Sequence, residues 1–243
     1  LAGVISAVGD GVQGLAVGQD VIGLSDGRNA QAEYALLAAD RVVPKPDSLD
    51  WAAAATLYVA GTTALVMLDV TQPQPGETVA ISGAAGGVGV FATQLAVATG
   101  ARVLAIAGPH NHEQLRAWGA EPVAYGDGLE DRLRELAPEG IAAFLDTHGG
   151  GYVELALRLG VPKERIETII DFPTAGRLGT VAKGMAAMAD PAAGVARLAQ
   201  LVADGAIEVP VKGRFPLDQV QDAYRAVESR SGLGKVVLDI STP

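Results

Sequence analysis

The sequence predicts an α/β protein, in which a doubly wound parallel sheet is set between two parts of a smaller β-rich domain. Three observations predict this. Short apolar, partly β-branched runs alternate with helical segments from residue 78 to residue 170. The first of those runs ends in a glycine cluster, Gly83-Ala84-Ala85-Gly86-Gly87-Val88-Gly89, that opens a helical pattern. Short strand-like stretches with Gly turns lie on either side, at residues 1–44 and 208–240.

Taken in order, residues 1–9 and 17–24 read as strands around the turn signal Gly9-Asp10-Gly11. Residues 31–39 and 41–44 read as two more, and four short strands suggest a small or partial barrel. Pro44-Lys45-Pro46-Asp47-Ser48 closes it, and Ser48 or Asp50 is placed to cap the Ala-rich helix over 50–57. A second helix is expected over 62–69 and a loop over 72–76. Strands at 79–82, 102–107, 122–125, 142–147 and 166–170 then alternate with helices at 87–98, 111–118, 129–137 and 151–159. That order calls for a parallel sheet with right-handed crossovers. Residues 172–189 offer small residues with Gly and Met, and no obvious capped helix. An amphipathic helix at 192–204 places Val195, Leu198, Ala199 and Val202 on one face. Strand-like pieces at 208–211 and 213–215, a helix to residue 229 and a strand at 235–240 complete the chain. The expected domains are residues 1–58 with 186–243, and residues 59–185.

The 243 residues suffice to bury a proper core, and 49% hydrophobic with 19% charged residues marks a globular chain. A net charge of −10 argues against a nucleic-acid surface, which needs clustered Lys and Arg. With no Cys, disulfides, Cys-based zinc sites and a Cys nucleophile are excluded within this stretch. His110, His112 and His148 have no zinc-like spacing with carboxylates, so no metal site is expected. No uninterrupted apolar run reaches membrane-spanning length. The expectation is an acidic, soluble, cytoplasmic protein whose first residue, Leu1, is not the native start.

The glycine cluster carries the chemistry. Gly86, Gly87 and Gly89 remove side chains where the backbone turns sharply and a pyrophosphate can approach. The following helix points its N-terminal N–H groups and positive dipole end at that phosphate. Gly86, Gly87 and Val88 are the backbone contacts, while Gly89 serves close helix–strand packing. The alternative is a βαβ turn with no ligand. The context of strand, turn, helix and second strand defines a Rossmann dinucleotide-binding pattern.

Ala2-Gly3-Val4-Ile5-Ser6-Ala7-Val8-Gly9, Val17-Gly18-Gln19-Asp20-Val21, the glycine cluster and Gly234-Lys235-Val236-Val237-Leu238 stand in the order seen in medium-chain dehydrogenases/reductases. The chain resembles the zinc-free, zeta-crystallin-like quinone oxidoreductase branch, and Ala-Ala-Gly-Gly-Val-Gly also resembles the related enoyl reductases. The resemblance covers nearly the whole chain. It implies a Rossmann domain inserted in a GroES-like β domain, here partial, because the family has a further β region ahead of the segment matching Leu1.

The end of the second sheet strand decides the cofactor. Ala105-Ile106-Ala107-Gly108-Pro109-His110-Asn111 carries no acid to bind a ribose 2′-OH or repel a 2′-phosphate, which favours NADP(H). The family usually offers a Ser and a basic residue where Gly108 and His110 stand, so the phosphate pocket is weak. His110 helps only when protonated, and a neutral loop His is the other reading. Asn111 is placed to cap the next helix. The resemblance puts Tyr125 along the adenine, Thr147 near the ribose and Thr63 near the nicotinamide. Their plainer roles are a core aromatic, a turn residue and a helix cap. Asp171 and Phe172 follow a strand C-terminus, where open α/β sheets bind ligands, although Asp171 equally suits a turn cap. Lys235 matches a family Lys near the cleft, or is a solvated Lys at a strand start. No residue is a convincing acid–base catalyst.

The expected activity is NADPH-dependent transfer of hydride to a quinone or an α,β-unsaturated carbonyl (an enone), without zinc. The alternatives are an enoyl reductase acting on a carrier-bound chain and a non-catalytic NADPH-binding protein. The β-branched run at 166–170, expected at the sheet edge, predicts a homodimer joined there or around residues 180–183. Neither nucleic acid nor membrane is an expected partner.

Overall fold

The computed structural model describes residues 1–27 and 29–240. The chain forms two compact units. One comprises Leu1–Thr62, Ala189–Ser231 and the chain from Lys235 onward; the other comprises Thr63–Met188 and Gly232–Gly234.

The first unit opens with β1 (Ala2–Val4), β2 (Asp20–Gly23) and β3 (Val42–Pro44), an antiparallel sheet in that spatial order. Residues 31–39 do not form the expected strand. Tyr34 and Leu36 are 77% and 91% exposed, and the run is rich in Ala, which has low strand propensity. Leu37 packs over Gly23 instead, where a Cβ would lie 2.2 Å from its Cδ2. Asp50, not Ser48, caps α1 (Trp51–Ala54), its Oδ1 accepting from Ala52 N–H at 2.9 Å and Ala53 N–H at 3.1 Å. A π-helical turn, Leu57–Gly61, then runs without a break into α2 (Thr62–Thr71).

The second unit is a five-stranded parallel sheet. Its elements are β4 (Thr78–Ser82), α3 (Gly89–Ala98), β5 (Arg102–Ala107), α4 (His112–Ala117), β6 (Glu121–Ala124), α5 (Leu129–Leu136), β7 (Ala143–Asp146), α6 (Tyr152–Arg158), β8 (Ile166–Thr168) and α7 (Phe172–Leu178). The spatial order is β6-β5-β4-β7-β8. Residues Val79–Ser82 and all of β7 and β8 are buried, as strands covered on both faces must be. Leu104, Ile106, Phe144 and Ile166 meet Leu129, Leu133, Val153 and Ala156 in one core. This is a Rossmann sheet, and its order reverses between β4 and β7.

Two features depart from the expectation. Residues 172–189 do contain a capped helix, α7, with Asp171 at its N-cap, Pro173 in its first turn and Gly179 in the left-handed conformation at its end. The strand expected over 166–170 stops at Thr168. It is flanked by a further segment, since Val181 N–H donates to Ile166 O at 2.9 Å and Thr168 N–H to Val181 O at 3.1 Å.

The chain ends with α8 (Pro191–Ala203), β9 (Val211–Pro216), α9 (Val220–Glu228) and β10 (Lys235–Asp239). Val195, Leu198 and Ala199 are buried as the periodicity requires. Of the two strand-like pieces after residue 208, the first forms no strand before Val211 and the second lies within β9, which pairs parallel with β10. With its antiparallel three-stranded sheet, the first unit is the GroES-like part. Among the described residues no helix is long and apolar enough to cross a membrane.

Candidate functional site

The glycine turn leaves β4 at its C-terminal end, beside the point where the strand order reverses. Gly83 has φ of 61°, and a Cβ there would meet Thr147 Oγ1 at 2.8 Å. Gly86 N–H closes the turn onto Gly83 O at 2.8 Å. A Cβ on Gly89 would lie 2.1 Å from Gly83 O and 2.8 Å from Ala84, so this position is confined to glycine by backbone packing. Gly86 is exposed at the tip. The helix starts at Gly89 rather than Gly87, with Val88 at its N-cap and no side-chain cap. Among the described residues, no backbone carbonyl accepts from the N–H groups of Gly87 and Val88. Gly234 N–H donates to Ala85 O at 2.9 Å and braces the turn from the Gly232–Gly234 segment.

Beneath the turn lies a polar network that the sequence did not reveal. Ser82 and Asp146 are paired across β4 and β7, and both are fully buried. Asp146 Oδ1 accepts from Ser82 Oγ at 2.6 Å, Gly149 N–H at 2.9 Å and His148 N–H at 3.1 Å. Its Oδ2 accepts from Thr168 Oγ1 at 2.8 Å. Thr168 Oγ1 in turn accepts from the N–H groups of Asp171 at 3.0 Å and Ile170 at 3.3 Å. One carboxylate therefore joins the C-terminal ends of β4, β7 and β8. Asp146 ends an otherwise apolar strand, which was the available signal.

Thr147 is held to this network. Its Oγ1 donates to Ser82 O at 2.7 Å and its N–H to Ser82 Oγ at 3.1 Å. Asp171 accepts from Thr174 N–H at 3.3 Å as the cap of α7, and Phe172, the first residue of that helix, is 52% exposed. Thr63 is not a helix cap. It is buried inside the first turn of α2, because the π-helical turn continues into that helix.

At the end of β5, Ala107 and Gly108 are buried and Pro109–Asn111 makes a 3₁₀ turn. A Cβ on Gly108 would meet His110 Cε1 at 2.7 Å and Tyr125 Cε1 at 3.5 Å, so two rings flank a bare backbone. Tyr125 is 60% exposed and is not a core aromatic. Asn111 does not cap α4 through its side chain. Its Nδ2 lies 3.2 Å from His110 Nε2.

Further along the same sheet end, His148 packs edge-on against Tyr152 at 5.7 Å between ring centroids. Burial, and then the fields of Asp146 and Tyr125, raise the Tyr152 phenol above its ordinary value. On β8, Glu167 is fully buried. Its Oε1 accepts from Lys183 and Gly184 N–H, each at 3.2 Å, and its Oε2 has no hydrogen-bond partner among the described residues. Burial raises its carboxyl above the usual range, opposed by those two N–H groups. In the first unit, Lys235 is not a solvated lysine: burial, and then Lys212, hold its ammonium below the usual value. Among the described residues no group of three His, Cys, Asp or Glu side chains is placed to hold a metal ion.

Fold and turn together define an open α/β nucleotide-binding architecture with a second, β-rich part. A family model described as zinc-binding dehydrogenase matches residues 118–238. A phenolphthiocerol/phthiocerol polyketide synthase protein of Mycobacterium tuberculosis is 32% identical over an alignment of 262 positions that covers 98% of this chain. The chain spans only 12% of that synthase's length. A quinone oxidoreductase of Pseudomonas aeruginosa is 27% identical, over 98% of this chain and 79% of its own. Among solved structures, the quinone oxidoreductase from Coxiella burnetii superposes with a TM-score of 0.85 at 26% identity, over 99% of this chain and 78% of that one. The chain belongs to the medium-chain dehydrogenase/reductase superfamily.

Proposed function

We propose that the chain is an NADP(H)-dependent oxidoreductase that passes hydride to a quinone or an α,β-unsaturated carbonyl without zinc. The observation that carries this reading is the glycine turn at the start of α3, where among the described residues no backbone carbonyl accepts from the N–H groups of Gly87 and Val88. A pyrophosphate fits there, because Gly86 presents no side chain and the helix dipole favours an anion. The bound nicotinamide would supply the hydride. Ala107, Gly108, His110 and Tyr125 would receive the adenosine end, and the stretch 105–111 contributes no carboxylate to repel a 2′-phosphate. Thr147 would hold the turn in register beneath the ribose. Thr63 is assigned to the nicotinamide end by the family resemblance, and Asp171 and Phe172 are candidates for it because they follow a strand C-terminus.

No particular side chain is assigned the proton transfer, and a water or a hydroxyl would deliver that proton. The chain has no Cys and, among the described residues, no clustered ligand set, which supports a reaction without zinc, whatever other members of the family bind. The chain's task is then positioning and exclusion of water.

The test is NADPH consumption by full-length protein with simple quinones and enones, with G86D as control. In G86D a carboxylate stands in the pyrophosphate path, and normal NADPH binding there would remove the site from the turn. Similarity to a polyketide synthase over 98% of the chain supports a second reading, reduction of a carrier-bound enoyl chain. Turnover of an enoyl thioester on a carrier but not of free quinones would select it. Binding without turnover of either class would select a non-catalytic NADPH-binding protein. We also propose a homodimer, tested by light scattering at micromolar concentration. A monomer mass that NADPH does not change would sink it.

A further inference from the structure

The strand end that should hold a 2′-phosphate offers only a glycine and a histidine, yet a cation is tied to the end of the neighbouring strand. Arg132 lies on α5, and its Nη2 donates to Ala124 O at 2.8 Å while its Nη1 donates to Asp127 O at 2.8 Å. Ala124 is the residue paired with Ala107 across β6 and β5. The guanidinium therefore sits at the C-terminal end of β6, one strand from Gly108, beneath the loop that carries Tyr125. A Cβ on Gly128 would lie 3.2 Å from its Nη1, so glycine at that position makes room for it. Two of its five N–H donors are used on these carbonyls, and its buried Nε has no hydrogen-bond partner among the described residues. The acids on the neighbouring segments are Glu113 on α4, Glu121 on β6, Asp127 in the loop, and Glu130, Asp131 and Glu135 on α5; Glu121 pairs with Arg102 and Glu130 with Arg134 and Arg158, while Asp127, an exposed residue, gives Arg132 its backbone carbonyl.

We infer that Arg132 is the specificity-determining cation of this chain: it supplies, from α5, the charge that selects a 2′-phosphorylated dinucleotide. This inference rests on the cofactor reading given above. A guanidinium keeps its charge at every physiological pH, and it offers donors suited to a phosphate oxygen.

The test compares NADPH and NADH binding by fluorescence titration of the full chain, in wild type and in R132Q. We expect R132Q to weaken NADPH about 10-fold, the loss of one charge-assisted phosphate contact, and to leave NADH within about twofold. Equal losses for both cofactors mean that Arg132 only braces the loop, and overturn the inference. So does an unchanged NADPH preference in folded R132Q. Should R132Q not fold, wild type decides: at pH 9 an imidazole is neutral and a guanidinium is not. Preference retained from pH 7 to pH 9 supports Arg132; preference lost at pH 9 overturns its role in favour of His110. Wild type that binds NADH as well as NADPH overturns the cofactor reading itself.

Discussion

Removing the Asp146 carboxylate should be the most damaging single change at the sheet end. It accepts four hydrogen bonds, from Ser82 Oγ, His148 N–H, Gly149 N–H and Thr168 Oγ1, and it is fully buried. Hydrogen bonds to a charged acceptor contribute roughly 1.5–3 kcal/mol each, and a buried donor left unpaired costs about 1–3 kcal/mol. These terms overlap, because the two N–H groups and Ser82 share one oxygen. D146A should therefore cost about 4 kcal/mol, near the upper end for point substitutions. D146N keeps an oxygen for Ser82, His148 and Gly149 but turns an NH₂ toward Thr168 Oγ1. That hydroxyl oxygen already accepts from Ile170 and Asp171, so the cost should be about 1–2 kcal/mol. Urea unfolding with an unchanged slope would read both as midpoint shifts. A D146A loss below about 1 kcal/mol, or a D146N loss exceeding it, would refute the account of this network.

Three more outcomes follow from single residues. Arg165 beside Glu77, with the N–H of Gln74, lowers the Glu77 carboxyl from 4.5 to about 2. A depressed carboxyl stabilises the fold above its unfolded value and loses that contribution as pH falls through the folded value, so the stability gap between wild type and E77Q should close between about pH 5 and about pH 2; a gap that stays constant over that window would remove the pairing as its cause. G89A should lower the melting temperature sharply and impair nucleotide binding, since its Cβ would stand 2.1 Å from Gly83 O, whereas G86A, at 3.1 Å, should be far milder; equal melting temperatures would contradict the packing role. Gly184 has φ of 58° and ψ of −172° with open space around it, so G184A should cost about 1–3 kcal/mol of backbone strain alone, readable as a urea midpoint shift.

What the sequence made legible was whatever local pattern dictates. The alternation from Thr78 to Thr168 yields the sheet because a buried parallel strand needs an apolar run and its crossover needs a helix. The glycine turn was legible because Gly83 and Gly89 answer to backbone geometry, a positive φ in one case and a 2.1 Å approach in the other. α7 was missed although its signals were present: Asp171, Pro173 and Gly179 are an N-cap, a first-turn proline and a left-handed terminus. Its interior of small residues gave no periodic apolar stripe to draw attention to them. The network of Ser82, Asp146 and Thr168 was not legible, because its partners are 22 and 64 residues apart and meet only once strand order is known. Arg132 was hidden for the same reason, because the end of β6 to which it is bonded is set next to β5 only by the pairing of Ala107 with Ala124.

The sheet edge shows how such non-local partners change a functional reading. The run Ile166-Glu167-Thr168-Ile169-Ile170 looks like an unprotected edge when read alone. In the fold Val181 takes up its hydrogen bonds, and the exposed side passes to residues 180–183. Glu167 fixes that outer segment. Its carboxyl points inward, binds Lys183 and Gly184 through their N–H groups and accepts a conformation at Gly184 that other residues rarely adopt. A buried carboxyl with one oxygen unpartnered adds little to stability, because desolvation offsets what its bonds contribute. Its effect is on register: residues 183–184 are held at the C-terminal end of the sheet, where ligands of such folds bind. Oε1 thus anchors the segment, while burial of the carboxyl as a whole keeps it above its ordinary range. A homodimer of this chain would then pair through residues 180–183, outside β8, with an edge whose register is set from within by Glu167.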